Sequence, residues 1–213
     1  MDYLPQFLKY YNIDLQPTNS NGIDIELAKN LLYPGAHIAT ANPYEHYHHG
    51  IVIDTNTPDI SIIHLWAADK NSGRVQTTTL PIFIAGSIDD VGKNLRHLYL
   101  VNYDGDTVKK QQTTVETAKK TLENADDIKY NLATLNCESF ASFCRTGKWR
   151  SEQTEKLTNV LIENAADIYE KVKDADENNK RNISALVQAA PIDALDPSQK
   201  ELYDHFVRNI IET

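Results

Sequence analysis

His48-His49-Gly50-Ile51-Val52-Ile53 and Ile60-Ser61-Ile62-Ile63-His64-Leu65 are joined by Asp54-Thr55-Asn56-Thr57-Pro58-Asp59. Two short runs rich in β-branched residues, separated by a string of turn formers, predict an antiparallel hairpin. Side chains alternate along a strand, so His48 and His49 point to opposite faces and one of them at most serves a given site. If Ile53 opposes Asp59, His48 lies across from His64. A slip of one residue brings His49 there instead. Five of the seven histidines, His37, His46, His48, His49 and His64, fall between positions 37 and 64. Taken singly, each is more often a hydrogen-bonded structural group than a catalyst.

Downstream, Asn136-Cys137-Glu138-Ser139-Phe140 places one of only two cysteines at the start of a predicted helix. Asn136 is the expected N-cap, Glu138 sits in the first turn, and Gly147 ends the helix after Arg145. Phe140, Phe143 and Cys144 recur at helical spacing and give the helix one face to bury. The first turn carries unpaired N–H groups and the positive end of the helix dipole, which together favour a thiolate. Cys137 is therefore a candidate nucleophile, although a lone cysteine is by itself more often a small buried hydrophobe. Cys144 lies two turns further on, about 10 Å along the axis, beyond disulfide reach. It reads as a core residue. With no secretory leader evident and no internal disulfide, a reducing, cytoplasmic compartment is expected.

Four segments in order, Pro34-Gly35-Ala36-His37-Ile38, Tyr47-His48-His49-Gly50-Ile51-Val52, Ile62-Ile63-His64-Leu65 and Asn136-Cys137-Glu138-Ser139-Phe140, resemble the lecithin:retinol acyltransferase-like family, a branch of the NlpC/P60 thiol enzymes. Phe143-Cys144-Arg145-Thr146-Gly147 extends the resemblance, which spans roughly residues 33 to 150. It implies a circularly permuted papain-like core in which the base precedes the nucleophile. By matching motifs it implies Cys137 as nucleophile, His48 as base and His64 as the group that orients the base, and so selects the hairpin register pairing His48 with His64. The implied chemistry is attack on a phospholipid ester, a thioester intermediate, and transfer of the acyl group to an alcohol, an amine or water. Relatives tend to read Asn-Cys-Glu-His-Phe where this chain has Ser139.

The same three side chains suffice for covalent acyl transfer on chemical grounds: a thiol, an imidazole within reach of it, and a third group fixing the tautomer. The N–H groups opening the cysteine helix are the expected oxyanion donors. Zinc binding by His46 and His48, or by His48 and His64 with Cys137, is the competing use of these residues, but their spacing fits none of the usual ligand patterns. No metal or cofactor is expected.

A chain of 213 residues with 41% hydrophobic and 24% charged residues has globular composition. A net charge of −9 argues against non-specific nucleic-acid binding and gives no general attraction to anionic membranes. No apolar run approaches the ~20 residues of a membrane span, so a lipid or acyl-ester substrate implies a local docking site and leaves peripheral membrane contact open.

Three parts are expected: a helical segment over 1–32, the catalytic domain over 33–150, and a helical extension over 151–213. Leu4, Phe7, Leu8 and Tyr11 mark a first helix, expected to pack on the core. After the break at Gln16 to Gly22, a second helical pattern runs through Ile25, Leu27, Leu31 and Leu32. Thr77 to Ile84 and Leu98 to Val101 read as strands. Thr113 or Thr114 caps a helix buried through Val115, Ala118 and Leu122, with Glu116 completing a capping box. Leu157, Val160, Leu161, Ala165, Ile168 and Val172 form a helical stripe, and Asp196-Pro197-Ser198-Gln199 opens a last helix through Leu202, Phe206 and Ile210. The class is α+β with an antiparallel sheet. Two other functions stay open, a cysteine peptidase or amidase and a non-catalytic module binding a protein partner through its C-terminal helices.

Overall fold

The computed structural model describes residues 3–164 except 57, 67–72, 94 and 126–134, together with Asp167 and Asp204. It is an α+β fold built on one six-stranded antiparallel sheet. In chain order the strands are β1 (Ser20–Ile23), β2 (His37–Ala41), β3 (His48–Asp54), β4 (Ser61–Trp66), β5 (Arg74–Thr79) and β6 (His97–Val101), and in space they run β1-β6-β2-β3-β4-β5. The helices are α1 (Tyr3–Tyr10), α2 (Ala28–Leu31), α3 (Leu80–Ala85), α4 (Val108–Glu123), α5 (Cys137–Thr146) and α6 (Glu152–Glu163). None among the described residues is long and apolar enough to cross a membrane.

The hairpin forms as β3 and β4, in a different register. Pairing Ile53 with Asp59 requires Ile51 to face Ser61, whereas Ile51 faces Ile63 and Val52 faces Ile62. A bulge between Val52 and Asp54 inserts one residue and carries the turn further along the chain. The displacement is even, so every side chain keeps its face. His48 and His64 thus share a face as diagonal neighbours rather than directly opposed residues.

Each face of the sheet buries its own cluster. Ile38, Val52, Ile60, Ile62 and Leu98 pack with Leu80, Phe83 and Ile84 of α3, while Ile51, Ile63, Leu65 and Val75 pack with Ala118 of α4 and Phe140, Ala141 and Cys144 of α5. Two motif glycines make these layers fit. A Cβ on Gly50 would lie 2.7 Å from Ile62 Cγ2 and 2.9 Å from the Phe83 ring, so its absence lets α3 close onto β3 beside His48. Gly35 has φ +90°, and a Cβ there would collide with the Gln111 backbone of α4. Arg145, at the end of α5, donates to the Gly35 carbonyl at 3.0 Å and pairs with Asp106 at 2.8 Å, which ties the cysteine helix to the start of β2.

Three local expectations change. The strand foreseen over Thr77 to Ile84 ends at Thr79, and Leu80–Ala85 is helical: Pro81 suits a first turn, cannot serve mid-strand, and Gly86 closes the helix at φ 87°. Helix α4 starts at Val108 with Thr107 as N-cap, so Thr113 and Thr114 lie inside it, their hydroxyls bonded to the Lys109 and Lys110 carbonyls. Ser20–Ile23, within the expected break, pairs with β6 as an edge strand. The α1 face packs as expected through Phe7 and Leu8. The stripe beyond position 164 and the last helix lie outside the described residues, apart from isolated positions.

Candidate active site

Helix α5 begins at Cys137 because Asn136 and Ser139 cap it reciprocally. Asn136 Oδ1 accepts from the Ser139 amide at 2.9 Å, and Ser139 Oγ accepts from the Asn136 amide at 2.9 Å. The sequence placed the cap correctly but gave Ser139 no task. Its hydroxyl satisfies a buried N–H, and Asn136 Nδ2 continues to Thr154 of α6 at 3.2 Å.

The Cys137 sulfur lies on the backbone of β3, either side of residue 48. Its thiol donates to the Tyr47 carbonyl at 3.7 Å, and the His49 amide faces it, as do those of Cys137 and Glu138 in the first helical turn. Those amides favour a thiolate, as the sequence predicts, but burial outweighs them. With the neighbouring Glu138 carboxyl adding to it, burial pushes the thiol up to about 12. The resting sulfur is a neutral thiol, and among the described residues it hydrogen-bonds to neither the His48 nor the His64 ring.

Those two rings do meet. His48 Nε2 is 2.5 Å from His64 Nδ1, and His64 Nε2 is 3.3 Å from Gln76 Nε2 on β5, where Gln76 is the cross-strand partner of His64. His48 Nδ1 has no hydrogen-bond partner among the described residues. Trp66 and Phe83 wall the pair, with ring centroids 5.2 and 4.9 Å from that of His48. This aromatic enclosure strips water from both imidazoles. Burial holds His64 down at about 4 and His48 well below the usual range, with repulsion from His64 second for the latter. The dyad is neutral at rest.

His37 and His49 belong to a separate relay on the opposite face, beneath α5 and α6. Tyr103 Oη meets His37 Nδ1 at 2.8 Å, His37 Nε2 meets His49 Nδ1 at 2.8 Å, and His49 Nε2 meets Gln153 Nε2 at 2.8 Å. Gln153 also accepts from the Tyr47 amide at 2.7 Å and donates to its carbonyl at 3.1 Å, so it fastens the strand segment on which the sulfur rests. Glu138 accepts from Ser151 Oγ at 2.6 Å and from the Gln153 amide at 2.9 Å, a carboxyl set at the N-terminus of α6. Burial still raises it above the ordinary carboxylate range. Both nitrogens of His49 are engaged, which leaves His48 as the strand histidine with an open position. Sequence reasoning missed Gln76, Trp66, Phe83 and Gln153. No spacing pattern links them to the histidines, and register alone brings them there.

Among the described residues no group of three His, Cys, Asp or Glu side chains is arranged to hold a metal ion. Comparison with known proteins adds one finding: a family model described as lecithin retinol acyltransferase matches residues 30–150. No curated protein and no solved structure matches the chain.

Proposed function

We propose that this chain, which belongs to the lecithin retinol acyltransferase family, transfers acyl groups through Cys137, with His48 as general base and His64 holding that base, in the permuted papain-like order of base before nucleophile. The observation that carries the reading is the position of the sulfur. It is bracketed by the Tyr47 carbonyl and the His49 amide, the two backbone groups flanking a histidine whose Nε2 is held and whose Nδ1 is open.

In this mechanism the Cys137 thiol leaves the Tyr47 carbonyl and meets Nδ1 of His48, while His64 keeps its hold on Nε2. As the S–H proton passes to Nδ1, sulfur attacks the carbonyl carbon of the bound ester, and the carbonyl electron pair moves onto oxygen. Amides opening α5 stabilise that oxyanion. Collapse expels the alcohol, which takes the proton from Nδ1 and leaves a thioester on Cys137. An alcohol, amine or water then attacks the thioester as His48 removes its proton, and collapse restores the thiol. Because thiol and imidazole are both neutral at rest, proton transfer accompanies attack. The apolar wall of Trp66 and Phe83 supports a lipid acyl chain as the group presented to the sulfur.

One observation favours a binding module instead: the resting thiol is bonded to a carbonyl rather than to an imidazole. Turnover of a labelled phospholipid ester decides between them. Wild type is expected to release or transfer the acyl group, and Cys137→Ala and His48→Asn to lose at least about a thousandfold of that rate. Cleavage of peptide or isopeptide substrates with no ester turnover reassigns the enzyme to amide bonds. Inertness toward both overturns the enzymatic reading.

A further inference from the structure

Two glutamines end the two histidine relays, and they are held differently. In the relay on the α5 face, the Gln153 amide cannot turn: its oxygen is occupied by the Tyr47 amide and its nitrogen by the Tyr47 carbonyl and His49. Each ring there has a fixed tautomer. Gln153 donates to His49 Nε2, so His49 carries its proton on Nδ1 and donates to His37 Nε2. Gln76 has no such anchor among the described residues. It lies half-buried on β5, an edge strand, and His64 Nε2 is its hydrogen-bond partner among the described residues, at 3.3 Å.

The direction of that amide sets the chemistry of the dyad. With the Gln76 NH2 toward His64, His64 Nε2 accepts, His64 Nδ1 carries the proton and donates to His48 Nε2, and a neutral His48 keeps its own proton on Nδ1. Its open nitrogen is then a donor and cannot take a proton from a thiol. A half-turn of the amide presents the oxygen. His64 then carries its proton on Nε2, the bridging proton moves from His64 Nδ1 to His48 Nε2, and His48 Nδ1 is bare. The interconversion balances: one proton leaves His48 Nδ1 for solvent, one enters at His64 Nε2, and the bridging proton shifts along its own hydrogen bond.

We propose that Gln76 is a positioning residue whose amide orientation switches His48 between a resting, non-basic tautomer and the reactive one with a bare Nδ1. The inference rests on His48 being the base, and the switch is separable from turnover because ring tautomers are read in the resting protein. A carboxylate at position 76 only accepts and so favours the reactive form, whereas a thioether is a weak acceptor and leaves the His64 Nε2–H of that form without a good partner.

The test is the ¹⁵N imidazole spectrum at pH 8 of wild type, Gln76→Glu and Gln76→Met, with each ring nitrogen assigned as protonated or bare. Wild type is expected to show His48 Nδ1 protonated and His64 Nε2 bare. Gln76→Glu is expected to reverse both rings together. Identical patterns in these two proteins overturn the switch, as does a change in one ring without the other. In ester turnover, Gln76→Met is expected to lower kcat about a hundredfold with KM within about twofold, and Gln76→Glu to restore it; a purely structural role predicts no such rescue. If wild type turns over no substrate, the acyl-transfer reading fails while the ring patterns still decide the switch.

Discussion

Lowering the pH is expected to unfold this protein unusually early. His37, His48, His49 and His64 are buried and hydrogen-bonded, and burial depresses all four, His64 to about 4 and the others well below 6.5. Unfolded imidazoles titrate near 6.5, so below that pH the unfolded chain binds protons that the folded chain refuses. The stability these groups contribute is complete above about pH 6.5 and is lost as pH falls toward their folded values. Each histidine removes about 1.4 kcal/mol per pH unit once its unfolded form is protonated, so four together remove about 6 kcal/mol per unit. Glu138, raised by burial, works in the opposite sense and offsets one of them at most. Against a total of about 5–15 kcal/mol, this loss reaches the lower end of that range near pH 5. Urea midpoints at constant m between pH 7.5 and 5.5, with His49→Gln beside wild type, measure the effect. Stability flat to within about 1 kcal/mol from pH 7 to 5.5, or a His49→Gln slope equal to that of wild type, refutes the reasoning.

Gln153→Ala leaves the Tyr47 amide and His49 Nε2 without partners in a dry interior, an expected loss of about 3–4 kcal/mol, whereas exposed Gln112→Ala is expected to stay within about 0.5 kcal/mol by the same urea titration. Ser139→Ala removes the acceptor for the buried Asn136 amide and half of a capping box; about 1–2 kcal/mol is expected in thermal melts, with alkylation of Cys137 altered because the start of α5 loosens.

The parts of this molecule legible in the sequence were those with local chemical signatures. Apolar runs rich in β-branched residues around a string of turn formers marked β3 and β4, and Asn136 and Gly147 bracketed α5 at both ends. Register was not legible, because the bulge at Ile53 depends on how the whole sheet packs rather than on any residue within the turn. An even displacement preserved the facing of His48 with His64, since alternation survives any even slip. The strand expected over Thr77 to Ile84 failed for an identifiable reason: β-branched content suggested a strand, but Pro81 and Gly86 are helix punctuation and outweigh it. The thiol's low acidity was hidden as well. Helix position is written in the sequence, whereas the burial that defeats it is a property of the packed layers around α5.

Residues beyond 150 carry more of the site than their composition suggested. Gln153, Ser151 and Thr154 reach Tyr47, His49, Glu138 and Asn136, so the first turns of α6 support the segment that holds the sulfur.

The most direct test of the central claim is intact-mass spectrometry of the protein quenched in acid during reaction with a phospholipid ester. A species heavier by one acyl group is expected, mapped to Cys137, cleaved by hydroxylamine and absent from Cys137→Ala. An acyl adduct that persists in Cys137→Ala, or turnover with no adduct under any quench, contradicts it.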